Sequence, residues 1–169
     1  MSASQSTLTG SAGVYWVMHQ LLRRGIIVAL APEGVPNIDL IISDIQGSKV
    51  AALQVKTRNP IGNDKGWHMK AKHEKLNEDN LFYCFVDLPA DLSKPPTTYI
   101  LPSKTVADCL STTYCAWLET PGRGGRAHQD TEMRRLLPEY SFDDPRAKKY
   151  SLGWLEPYKE AWDILPIKG

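Results

Sequence analysis

The chain is short of cysteine, of long apolar runs and of net charge of either sign. Its three cysteines, Cys84, Cys109 and Cys115, cannot all pair with one another, and no two stand in a C-x-x-C spacing. A disulfide scaffold is therefore excluded, and reduced thiols in a cytoplasmic protein are expected. His68 and His73 stand five apart, a poor fit to one helix face, with no cysteine near them in sequence. No structural zinc site is expected there. No apolar stretch approaches the ~20 residues that span a bilayer, so no membrane partner is expected. The first residues are small and polar, without a charged segment leading into an apolar one, and do not read as a secretory signal. Twenty lysines and arginines against nineteen aspartates and glutamates leave a net charge of +1. That balance excludes a uniformly basic nucleic-acid coat protein and an acidic disordered segment. No solenoid-period repeat is present.

What is present is one domain's worth of chain, 169 residues of which 42% are hydrophobic. Residues 9–13 open a helix in which Val14, Val17, Met18, Leu21 and Leu22 recur at helical spacing. Arg23, Arg24 and Gly25 suit its C-terminus. Residues 26–30, 38–43 and 49–57 read as three strands, the last ended by Asn59-Pro60 and Gly62. Residues 67–80 are charged, and Met69, Lys72-His73 and Leu76 predict a helix. Residues 81–88 and 97–101 read as strands four and five. A helix over 103–110 follows, with Ser103 as N-cap. Strands in a block with helices before and after predict a mixed α/β layered domain. Leu40 and Ile42 on one face of strand two and Ile41 on the other predict a sheet covered on both sides. The motif-bearing part spans 9–110. Residues 111–169 read as an elaboration packed on the same domain, with Trp154, Leu155, Tyr158, Trp162 and Leu165 docking back on the body.

Three polar residues stand out on the predicted hairpin. Gln54 and Lys56 are two apart on strand three and project from one face. With the turn at Gln46-Gly47, antiparallel partners sum to 93, which sets Asp39 opposite Gln54. A carboxylate, an amide oxygen and an ammonium group then converge. Asp39, the Gln54 carbonyl and the Val55 backbone carbonyl offer oxygen ligands to a hard divalent cation. Lys56 is suited to act on an attacking water or on phosphate charge. The same pattern also occurs as ordinary sheet surface.

The initial helix, Pro36-x-x-Asp39 and Gln54-Val55-Lys56 within VAALQVKTR resemble the PD-(D/E)xK nuclease superfamily, in the variant where glutamine replaces the acidic residue. TGSAG opening the helix, LLRRG closing it, and the distal segments NLFYCFVDLP, PTTYILPSKTVAD and TPGRGGRAHQD are similar to small bacterial Holliday-junction-resolvase-like members. The resemblance implies a restriction-endonuclease-like α/β core, with a mixed central sheet flanked by helices on both faces. It implies metal-dependent hydrolysis of DNA, with Asp39 and Gln54 binding Mg²⁺ or Mn²⁺ and Lys56 acting at the attacking water. Related proteins usually carry a glutamate after the second glycine of the first helix, and here that residue is Val14. One carboxylate predicts weak metal binding. It leaves open a catalytically inactive module of the same fold that binds nucleic acid or a protein partner. Nucleases of this type often act as homodimers, but no dimer signature is evident.

The near-zero net charge hides an uneven distribution. Between Lys56 and Lys75 six cations face two acids, a local net of +4. Arg58, Lys65, Lys70 and Lys72 from this stretch, with Arg123 and Arg126 from the glycine-rich loop, are the candidate phosphate contacts. A solvated charged face and a plain surface loop are the alternatives for the two groups. Trp67 and His68 are candidates for base stacking or, in the case of Trp67, for packing on the domain. His73 is expected to face solvent.

Overall fold

The computed structural model describes residues 4–59, 65–141 and 143–168. Helix α1 (Gln5–Leu22) begins earlier than the glycine pattern predicts, because the Ser4 side chain accepts a hydrogen bond from Thr7 N and caps it. Strands β1 (Ile27–Leu30), β2 (Leu40–Ser43), β3 (Val50–Arg58), β5 (Leu81–Asp87) and β6 (Thr97–Pro102) form one sheet in the order β1-β2-β3-β5-β6. The β3–β5 pair is parallel and the other pairs are antiparallel, so the sheet is mixed. Helix α2 (Ser103–Glu119) runs through residue 110 without a break. Its N-cap position is Pro102, and the Ser103 hydroxyl instead donates to the carbonyl of Glu78.

Residues 67–80 differ from the predicted helix. Trp67–Lys70 is a strand, β4, followed by one 3-10 turn over Ala71–Glu74. It pairs antiparallel with β7 (Met133–Leu136), setting Trp67 opposite Leu136 and Met69 opposite Arg134. Trp67 and Met69 point inward and His68 and Lys70 outward, the period-two alternation of a half-buried strand. Trp67 packs against Phe85 and Tyr99 and donates its indole N–H to the Val86 carbonyl, so it belongs to the core. Asn59 continues the chain after β3 as read, while Pro60 and Gly62 lie outside the described residues.

The sheet separates two cores. On the α1 side Val17, Leu21, Leu40, Ile42, Leu53, Cys84 and Ile100 pack with Trp162, Leu165 and Ile167 from the C-terminal segment. On the α2 side Tyr83, Phe85, Leu101, Val106 and Leu110 pack with Trp67, Leu136, Tyr150 and Leu155. Each such side chain contributes roughly 1.5–3 kcal/mol when fully buried. Residues beyond 110 thus supply both cores. Cys84 and Cys109 sit within them, their thiols pushed up to about 12 by burial, whereas Cys115 is exposed; all three are unpaired.

The expected covering of both faces is met only in part. Helices flank both faces, but α2 packs over β5 and β6. On its side of the sheet's other half, Ile27, Ile41 and Val50 remain 40–55% exposed. Among the described residues no helix is long and apolar enough to cross a membrane.

Candidate active site

The β2–β3 turn fixes the geometry of the site. Gly47 adopts φ +69°, a left-handed conformation that glycine takes without a Cβ penalty. The Asp44 carboxylate accepts from Ser48 N at 2.7 Å and Lys49 N at 3.2 Å, which ties the loop to its base. The resulting register pairs Leu40 with Leu53 and Ile41 with Ala52, the sum of 93 that the turn residues predict. Beyond the regular strand the ladder continues through Asp39. Its N–H donates to the Leu53 carbonyl at 2.8 Å, and its own carbonyl accepts from Ala31 N at 2.9 Å. Its side chain then takes over a backbone's role, with Oδ2 accepting from Val55 N at 2.7 Å. Asp39 is therefore held at three points at the mouth of the β2–β3 pair; its N–H bonds the carbonyl of Leu53, one residue short of Gln54, so the regular register ends at the Leu40–Leu53 pair and the carboxylate reaches past Gln54 to Val55 N.

Gln54 is buried, at 7% exposure, and its Oε1 has no hydrogen-bond partner among the described residues. An unpaired buried amide oxygen costs roughly 1–3 kcal/mol, so this acceptor is available to a ligand. Asn37 Oδ1 and Thr57 Oγ1 are likewise buried without partners among the described residues. Lys56 is half-buried and makes no ion pair or hydrogen bond among the described residues. Burial holds its ammonium below the usual lysine range. Lys72 and Lys70 act in the same direction, and Asp39 acts against them.

Asp39 and Lys56 line different hollows. Asp39 and Val55 border a cleft of about 460 Å³ between α1 and the β1–β2 connection, with Gly10, Val14, Tyr15 and Pro32. Val14 of α1 thus shares the cleft with Asp39. Lys56 lines a second cavity of about 360 Å³ with Lys70, Lys72, His68, His73 and Glu132. A third cavity, between α2 and β7, is lined by Leu110, Tyr114, Trp117 and Tyr140 and holds none of the candidate residues.

The cationic stretch divides. Lys70 and Lys72 are exposed and join Lys56 at the second cavity. Arg58 is committed within the fold. Its guanidinium grips Asp87 in bidentate fashion at 2.8 and 3.1 Å, donates to the Lys65 carbonyl and stacks on the Trp67 ring at 4.0 Å. Lys65 is exposed. Arg126 is exposed on the turn after α2, its carbonyl accepting from Gly122 N. The Arg123 side chain lies outside the described residues.

Sequence reasoning missed two residues here. His73, expected at the surface, is 2% exposed, and its Nδ1 stands 2.8 Å from the Tyr83 hydroxyl. Burial, followed by Lys56, Lys72 and Lys70, pushes its pKa down to about 4, so the ring is neutral at pH 7. Glu132 reaches the same cavity because β7 pairs with β4. The alternation in Trp67-His68-Met69-Lys70 was the available signal for β4; nothing local announces its partner.

No family profile matches the chain, and neither does any curated protein. Among solved structures it is similar to a bacterial homing endonuclease, at 17% identity and a TM-score of 0.47, with 96% of this chain and 91% of that one covered.

Proposed function

We propose that this chain is a metal-dependent nuclease that hydrolyses DNA phosphodiester bonds, in the manner of the PD-(D/E)xK superfamily. The observation that carries the reading is the Gln54 amide oxygen, buried and without a partner among the described residues, one position along β3 from Val55, whose N–H holds the Asp39 carboxylate. These donors fit Mg²⁺ or Mn²⁺, since both are hard oxygens. Asp39, Gln54 and the Val55 carbonyl would hold the cation. When bound, such a cation supplies Lewis-acid charge to a phosphodiester oxygen. The protein's own part is positional. Val55 N anchors Asp39 Oδ2, which keeps the carboxylate at the strand mouth. Lys56, on the same strand face as Gln54, orients the attacking water and balances the negative charge that builds on the phosphate as the new P–O bond forms and the old one breaks.

The test is Mg²⁺- or Mn²⁺-dependent cleavage of linear, single-stranded and branched DNA. Cleavage is expected to vanish with chelator, with Asp39→Ala and with Lys56→Ala. Full activity in Lys56→Ala would refute the mechanism. One observation favours a second reading, a nucleic-acid-binding module without turnover. Val14 gives the Asp39 cleft an apolar wall on its α1 side, and the other acidic residue lining the cleft, Glu33, lies on the β1–β2 connection. That reading expects salt-sensitive DNA binding with no cleavage at any metal concentration.

A further inference from the structure

The cavity beside Lys56 is lined by none of the three residues proposed to hold the metal, and its composition is unusual. Three ammonium groups, from Lys56, Lys70 and Lys72, share a space of about 360 Å³ with a single carboxylate, Glu132. None of the three lysines has an ion-pair partner among the described residues. Like charges held this close repel one another, and the repulsion is relieved when an anion enters. They come from two separate places, β3 and the β4-to-turn junction, and β4 is held there by its pairing with β7. The cavity is therefore a tertiary construction rather than one charged helix face.

His73 completes the wall. Buried beneath the lysines, it is neutral and tied through Nδ1 to Tyr83. The Tyr83 hydroxyl keeps its proton, because burial raises its pKa well above the ordinary value. The protonated hydroxyl can donate to Nδ1 or accept from it, so Nε2 is a neutral polar atom, donor in one tautomer and acceptor in the other, beside three cationic donors. Charged donors around a compact space suit a tetrahedral oxyanion, and lysine ammonium groups bind phosphate as point charges.

We infer that the cavity lined by Lys56, Lys70, Lys72 and His73 is a binding site for one backbone phosphate of the nucleic acid, next to the bond to be cut. The inference rests on the proposed function for the identity of its ligand. Lys56 belongs to both hollows' chemistry, facing Asp39 electrostatically and lining the cavity, so a phosphate seated here fixes the strand's register relative to Asp39 and Gln54.

The experiment measures duplex DNA binding in EDTA by fluorescence anisotropy over a range of salt. The full chain is compared with Lys70→Gln/Lys72→Gln and with Lys94→Gln/Lys168→Gln, an exposed pair outside the cavity carrying the same charge change. All four side chains are exposed, so the variants are expected to fold, which circular dichroism checks. The cavity pair is expected to weaken binding at least roughly tenfold and to lower the log–log salt slope by about one, with the control pair changing neither. In parallel, inorganic phosphate is titrated against the His73 imidazole NMR signals, which are expected to shift in the native chain and to stay fixed in the cavity variant. Equal losses in the two pairs, or immobile His73 signals, overturn the site. Phosphate that moves His73 without any DNA binding overturns its assignment to nucleic acid. Cavity-dependent DNA binding without cleavage keeps this site and rejects the nuclease. Cleavage that is indifferent to the cavity pair does the reverse.

Discussion

Replacing Gly13 with alanine tests how α1 is seated on the strand that carries Gln54 and Lys56. A Cβ built at Gly13 would lie 1.8 Å from Thr57 Oγ1 and 2.8 Å from both Thr57 Cβ and Cγ2. Rotating the threonine moves Oγ1 and Cγ2 but leaves Cβ in place, so the helix itself must lift from β3. Forced overpacking costs about 1–3 kcal/mol and at times more. Against it stands a helix-propensity gain of about 1 kcal/mol for alanine over glycine. Because Thr57 Cβ cannot rotate away, the cost sits at the upper end, about 3 kcal/mol, and the expected net loss is about 2 kcal/mol, which a domain stable by roughly 5–15 kcal/mol survives. Urea denaturation followed by tryptophan fluorescence reads this as a midpoint lowered by about 1 M for a slope near 2 kcal/mol/M. Thr57→Ala in the same chain removes the closest atom, whose hydroxyl has no partner to lose. The double variant is therefore expected to recover at least about 1 kcal/mol relative to the sum of the single changes. An unchanged or raised midpoint for Gly13→Ala, or strict additivity in the double variant, would refute the close approach of α1 to β3.

Three further outcomes follow from the same geometry. Gln54→Glu adds a carboxylate beside Val55, whose N–H holds Asp39; calorimetry is expected to show Mn²⁺ bound at least roughly tenfold more tightly, and the metal-free protein to lose about 1–3 kcal/mol for a buried charge. His73 has a folded pKa near 4 against an ordinary 6.5. Between those values the unfolded chain binds more protons, so stability falls as pH drops from about 6.5 to 4, by at most roughly 3 kcal/mol. Denaturation midpoints of the parent and of His73→Gln across this window check it, with the slope reduced in the variant. Arg58→Ala removes the grip on Asp87 and the stacking on Trp67. It is expected to cost about 1–3 kcal/mol in urea titrations while leaving DNA affinity in EDTA unchanged; a selective loss of DNA binding at full stability would return Arg58 to the phosphate contacts.

The parts of the fold legible in the sequence are those fixed locally. A β-branched run ended by a turn makes a strand wherever it stands, and Asp44 and Gly47 close the β2–β3 hairpin with their own side chain and backbone. Register follows from the turn because side chains alternate with period two. That is why the sequence alone places Asp39, Gln54 and Lys56 on one hairpin, while the fold turns Asp39 and Lys56 toward different hollows. The helical reading of residues 67–80 failed for the complementary reason. Met69, Lys72-His73 and Leu76 fit a helix locally, and it is β7, more than sixty residues onward, that draws Trp67–Lys70 into a strand.

What tertiary structure alone decided is which charges are free and which glycine is needed. Six cations between Lys56 and Lys75 look alike in sequence. In the fold Arg58 is spent on Asp87, whereas Lys56, Lys70 and Lys72 meet at one cavity above a buried histidine. Gly13 marks a helix start in the sequence but a contact with Thr57 in the structure. Periodicity and turn chemistry act over a few residues, so the sequence carries them by itself. Burial, ion pairing and close approach depend on neighbours brought from far along the chain, and only the packed molecule determines them.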